Sequence, residues 1–440
     1  MNDSREVRWL RNELPVLIEK QVISPETSSS LLAYYEQHDK KNGHNTLFLV
    51  SSILGSLLIG GGIILLFAHN WDEFSRPLRT FLSFAPLLIA QGIFGFAMFK
   101  RRHSMAWTEG SSGFLFLMIA STIALISQTY NLGGELKDFL FTWMLLGIPL
   151  IYLSGSTFVT VIYMIGICWW AMVAGDYYSG NDQVIFWPML LIAIPHLAKY
   201  IHKEGHEIRS VLLGWTFALV ILFSSNYALP LQDHGWQLLL RAGLYACLYL
   251  AGKRIYSQGS TMWSRPFQTS AIAGISVSAM TRSFNWSHLH GVFYEGKHSS
   301  LDAWIPLTIQ IVLCVFVAGL YAILIYRHRR MHTPINYFVV GYPLLVLVGL
   351  GLYHFGMGDV VTVLFNLFVL GFGINYILAG VKLNYLSLVN TGMLLISVLI
   401  IERFFDSNMN FIIKGIAFIL VGSGFLGVNI LLSNKIKKHG

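Results

Sequence analysis

The stretch "IERFFDSNMNFIIKG" (401–415) sets Glu402, Arg403, Asp406 and Lys414 between two runs that are otherwise almost wholly apolar, 383–401 and 411–432. A helix needs roughly 17–25 apolar residues to cross a hydrocarbon core of about 30 Å. Both runs are long enough, so the polar stretch reads as the turn between two membrane crossings. Working outward from this hairpin, the same rule gives about fourteen spans. They lie near 46–68, 79–99, 111–130, 138–153, 157–175, 184–199, 210–228, 235–251, 267–281, 303–326, 335–354, 360–379, 383–401 and 411–432. The fourth, sixth and ninth are short. The expected fold is all-α, a polytopic transmembrane helical bundle.

Composition points the same way. The chain is 55% hydrophobic and 12% charged, whereas soluble domains carry about 25% charged residues. The first 44 residues are polar and rich in charge, unlike a short basic-plus-apolar leader, so no cleavable signal is expected. Cys168, Cys247 and Cys314 fall inside apolar runs without ligand-like spacing and read as small core residues. No phosphate-binding glycine loop, GxSxG, HExxH or paired-cysteine motif stands out, so no cofactor and no metal is called for.

The charge distribution tests the span map. With the N-terminus inside, the inner loops hold sixteen Lys and Arg residues and the N-terminal segment six more, against six in the outer loops. Twelve acids lie outside and ten inside. Lys and Arg are retained on the cytoplasmic side, so this asymmetry predicts that both termini are cytoplasmic. The net charge of +8 then follows from orientation and from the anionic inner leaflet. The expected partner is the lipid bilayer, with bound lipid, and no nucleic acid is needed.

Residues 1–44 have their own order. Trp9, Leu10, Leu14, Leu17 and Ile18 recur at helical spacing. In "SPET", Ser24 reads as an N-cap, Pro25 as the first helical residue and Glu26 as an acid near the helix's positive end. Two amphipathic helices, about 4–20 and 25–39, form a cytoplasmic hairpin that needs a membrane domain or a protein partner to dock on. The transmembrane bundle then occupies 45–434, and 435–440 is a basic tail. "GSLLIGGGIILLFAHNWDEF" (55–74) also aligns without gaps on "GMLLISVLIIERFFDSNMNF" (392–411), a weak parallel repeat of a kind some transporters use.

"ISQTYNLGGELKDFLFTWMLLGIPLIYLSGS" (126–156), the polar N-terminal helix pair, the "AHNW" turn and "RFFD" (403–406) resemble a family of bacterial membrane proteins known only as domain of unknown function 2157. The C-terminal third resembles a related group, numbered 4401. The resemblance implies a polytopic inner-membrane protein with a small cytoplasmic N-terminal region. It carries no activity and no catalytic residues.

The polar residues inside the apolar frame are the candidates for function. Glu402, Arg403, Asp406 and Lys414 form either an ion-pair clamp on the last hairpin or a substrate- or proton-handling cluster, since a lysine below the headgroups costs a few kcal/mol unless it snorkels or pairs. Arg241 in "WQLLLRAGLYAC" is the deepest cation, either snorkelling outward or binding an anion. Gln91, Gln128, Asn366 and Asn375 lie within spans, where interhelical hydrogen bonding is the commoner role of an amide. Gln128 and Tyr130 gain interest by preceding the turn "NLGGE". His288, His290, Glu295 and His298 in the loop 281–304 lack the fixed second pair of a metal site. Small residues such as Gly371, Gly373, Gly422 and Gly427 signal close helix packing. Pro149, Pro188, Pro195, Pro306 and Pro343 are potential kinks.

Scarce soluble mass, many spans and missing catalytic motifs favour a transporter or flippase of a small or lipid-linked molecule. Two alternatives stay open: an enzyme on a lipid-linked substrate using outward acids such as Asp72 and Glu73, and a scaffold or sensor signalling through residues 1–44.

Overall fold

A computed structural model describes residues 5–32, 34, 71–175, 185–204, 208–225, 228, 234–256, 261–283, 304–331, 335–383, 385–405 and scattered positions from 412 to 427. All regular structure among them is helical. In chain order the helices are α1 (Arg5–Glu19), α2 (Arg76–Lys100), α3 (Met105–Tyr130), α4 (Leu136–Ser154), α5 (Thr157–Gly175), α6 (Phe186–Glu204) and α7 (Ile208–Ser224). They continue with α8 (His234–Ile255), α9 (Pro266–Ser283), α10 (Trp304–Met331), α11 (Tyr337–His354), α12 (Gly358–Leu383) and α13 (Leu386–Phe405).

Each of the twelve helices from α2 to α13 falls on one of the expected spans. Eight of them, α2 to α5 and α10 to α13, are long and apolar enough to cross a membrane. The eight span windows are between 11% and 61% buried within the protein, and their remaining faces present side chains such as Phe81, Leu88, Leu367 and Leu394. Apolar faces of that extent belong against lipid, because water would penalise them at roughly 25 cal/mol per Å². The first expected span, most of the last, most of the repeat's first copy and the loop histidines lie outside the described residues.

The chain divides into two compact units, 1–82 and 83–440. In the first, α1 buries Leu14, and Ser24 caps the helical turn that follows by accepting a 3.2 Å bond from the Thr27 amide. Both features are as the spacing predicts.

Among the described residues the second unit holds two large apolar cores and a small third one, where Leu240 and Cys247 of α8 meet Val317 of α10. Of the two large ones, one joins α3 to α7 through Phe116, Met144, Tyr163, Ile167 and Leu213; the other joins α7 to α9 and α11 to α13 through Ala218, Tyr245, Phe267, Tyr342 and Phe365. Helix α7 serves both, with Leu213 and Val220 on one side and Val211 and Ala218 on the other. Proline does not break the frame: α4 continues through Pro149, α6 through Pro195 and α11 through Pro343. Indole and phenol groups bond to backbone carbonyls across helices, as in Trp143 Nε1 to Phe116 O at 2.9 Å and Tyr163 OH to Met189 O at 2.9 Å. In a medium without water such groups need internal partners.

The closest helix pair is α12 with α13. A Cβ on Gly392 would lie 2.5 Å from the Gly373 carbonyl oxygen and 2.9 Å from the Ile377 nitrogen, and one on Gly380 would lie 2.7 Å from the Val389 nitrogen. Only hydrogen fits at these crossings, so backbone meets backbone.

Candidate functional site

Two polar constellations interrupt the apolar packing of the second unit. The first gathers the C-terminal ends of α9 and α13 and the first turns of α12. Glu402 accepts a 3.2 Å bond from the Ser283 hydroxyl, and Arg403 Nε donates to Asn366 Oδ1 at 2.9 Å. Asn366 Nδ2 donates in turn to the Ser283 carbonyl at 3.1 Å and the Thr362 carbonyl at 2.7 Å. A network shared by three helices is the arrangement expected when polar groups must be satisfied away from water. Asn366 thus takes the interhelical role. So does Asn375, whose Oδ1 receives Asn336 Nδ2 at 3.3 Å.

Arg282, beside Ser283 on α9, bonds within its own helix. Its Nη1 donates to the Ser278 carbonyl at 2.9 Å, the Ser278 hydroxyl at 3.3 Å and the Thr281 hydroxyl at 3.1 Å. Tyr342 of α11, fully buried, donates to the same Ser278 hydroxyl at 2.8 Å. Arg241 of α8 reaches back to Gln237, with Nη2 to Oε1 at 3.4 Å. The buried Nε of Arg282 meets no acceptor among the described residues.

The second constellation was not legible beforehand. Glu109, in the first turns of α3, receives the Thr157 amide at 2.9 Å and the Phe158 amide at 3.0 Å, together with the Ser156 hydroxyl. Arg209, at the start of α7, closes a salt bridge to it at 3.1 Å. The carboxylate therefore sits at the positive end of α5 and ties three helices. A serine-threonine start to α5 was the one local signal; the partners lie 47 to 100 residues away.

Of the residues singled out by sequence, Glu402 and Arg403 join the first constellation, while Arg241 bonds to Gln237 within α8. Asp406 and Lys414 lie outside the described residues. Gln128 lines a separate open groove of about 1000 Å³ with Gln91, Thr122, Asn131, Glu135 and Asp138. Its walls are mostly apolar, and Glu135 and Asp138 are engaged in a reciprocal capping box at the start of α4. Tyr130 is half exposed at the end of α3. Among the described residues no three His, Cys, Asp or Glu side chains gather as metal ligands.

Residues 16–160 match the family model described as "Predicted membrane protein (DUF2157)". The similarity of the C-terminal third to the 4401 group finds no support in that match. No curated protein and no solved structure matches the chain.

Proposed function

We propose that the protein moves a small or lipid-linked molecule across the bacterial cytoplasmic membrane by alternating access. The observation that carries this reading is the inward placement of charge. Asn366, Glu402 and Arg403 bond across α9, α12 and α13, while Val363, Leu367 and Leu394 on α12 and α13 face outward. Ionisable groups at membrane depth are expensive and persist mainly where a pathway or binding site uses them. By the charge asymmetry of the loops, this cluster lies toward the external side. There it would contact cargo in the outward-open state, while Glu109 and Arg209 would close the cytoplasmic end.

The test is reconstitution into proteoliposomes carrying a fluorescent anionic lipid, with an impermeant quencher added outside. Flipping makes inner-leaflet probe accessible faster than in protein-free vesicles, and Glu402→Gln slows it at least tenfold. In parallel, uptake of small organic anions covers a soluble cargo. Rates equal to empty vesicles in both formats would overturn the reading.

A further inference from the structure

We infer that the groove between α2, α3 and α4 binds a neutral glycolipid, with its sugar head at the α3–α4 turn and a hydrocarbon chain laid along the helices. This goes beyond the transport reading, whose polar cluster lies on α9, α12 and α13, and does not depend on it.

The groove has the size and polarity of a lipid in one leaflet. Its volume of about 1000 Å³ stands at the upper end of ligand-binding clefts, which run to roughly 1,000 Å³. Its α4 wall runs from Glu135 to Leu146, about 16 Å at a rise of 1.5 Å per residue. That is half of a hydrocarbon core of about 30 Å, the depth of one leaflet. Polarity is graded along this length. Gln128, Asn131, Glu135 and Asp138 line the end at the α3–α4 turn and are all exposed, whereas Phe84, Ile119 and Leu146 line the part toward mid-helix. A bilayer lipid has the same order, its head at the surface and its chain beneath.

The polar end selects the kind of head. Side-chain amides both donate and accept, as sugar hydroxyls do, and carboxylates with capping roles keep lone pairs for further donors. No Lys or Arg is among the described residues that line the groove, and the neighbouring Lys137 is bound to Glu135 at 3.5 Å. A phosphate head would therefore face two carboxylates, a like-charge arrangement that disfavours it. An ammonium head only donates, so it would leave the amide donors of Gln128 and Asn131 unmatched. A hydroxyl-rich, uncharged head uses every group at this end.

The experiment titrates the full-length protein, in a sugar-free detergent, with monoglucosyl diacylglycerol, diacylglycerol, phosphatidylglycerol, phosphatidylethanolamine or glucose, followed by native mass spectrometry. Wild type is expected to retain the glucosyl lipid at least tenfold more strongly than each of the other four. Asn131→Gly keeps the left-handed turn at φ 48° while removing an amide, and combined with Gln128→Leu it should weaken retention at least fivefold. Ala124→Trp fills the chain bed from an exposed position in the groove and should abolish retention. Gln91→Leu extends the apolar wall and should leave retention equal or stronger. All four positions are exposed, so each variant should melt near wild type, and any one that fails to fold leaves the decision to the others. Wild type that retains no glucosyl lipid, or that holds diacylglycerol, either phospholipid or glucose as tightly, overturns the inference. So does unchanged binding in Ala124→Trp or in the double variant, or lost binding in Gln91→Leu.

Discussion

Glu109 is the side chain whose neighbours say most about how this bundle is held. Its carboxylate receives two backbone amides, a hydroxyl and a guanidinium. Replacing one partner of such a group strands the others, which costs about 1–3 kcal/mol. Glu109→Gln should therefore lower thermal stability in detergent, read by tryptophan fluorescence. Because Arg209 loses its partner in the same step, Glu109→Gln combined with Arg209→Gln should be less destabilising than the sum of the two, by about 0.5–3 kcal/mol of coupling. Additive effects would show that the 3.1 Å contact contributes nothing. The pair was invisible in sequence for a physical reason. Pattern reading detects what residues near in the chain share, and this contact spans 100 positions. Arg282 reads in sequence as one of the six outer-loop cations, since nothing local tells a solvated arginine from one bonded to Ser278.

At the level of the helix, apolar run length located α2 to α13 because a span must satisfy its backbone internally, and only a helix does so in one segment. The ends were less legible. Helix α6 continues to Glu204 where hydropathy stops at 199, and α10 to Met331 where it stops at 326. Hydropathy reports the thickness of the hydrocarbon layer, while backbone hydrogen bonding carries a helix past it. Glycine was readable as a packing signal, but its partner was not. Gly373 was singled out, yet the residue that closes on it is Gly392. Gly392→Ala puts a methyl 2.5 Å from a carbonyl oxygen that cannot move aside, so it should cost about 1–3 kcal/mol, the usual range for overpacking. Gly92→Ala in α2 meets open space and should be neutral or gain up to about 1 kcal/mol in helix propensity. Comparing the melting temperatures of the two variants checks both; equal effects would mean that α12 and α13 do not touch through their backbones.

For the whole molecule, the charge asymmetry predicts which end of the bundle faces the cell interior. In a cysteine-free background, Arg101→Cys between α2 and α3 and Arg329→Cys at the end of α10 should resist an impermeant maleimide in intact cells and react after lysis. Gly134→Cys, between α3 and α4, should react without lysis. The opposite pattern would invert the proposed entry side for cargo and leave the helix packing untouched. One property of the bundle has mechanical weight. Because α7 forms a wall common to the two large cores, neither half of the second unit can swing without dragging or sliding along that rod. A pair of distance labels from α7 to each half would then report which of the two is the moving part, and a cycle that changed neither distance would have to be accomplished by side chains alone.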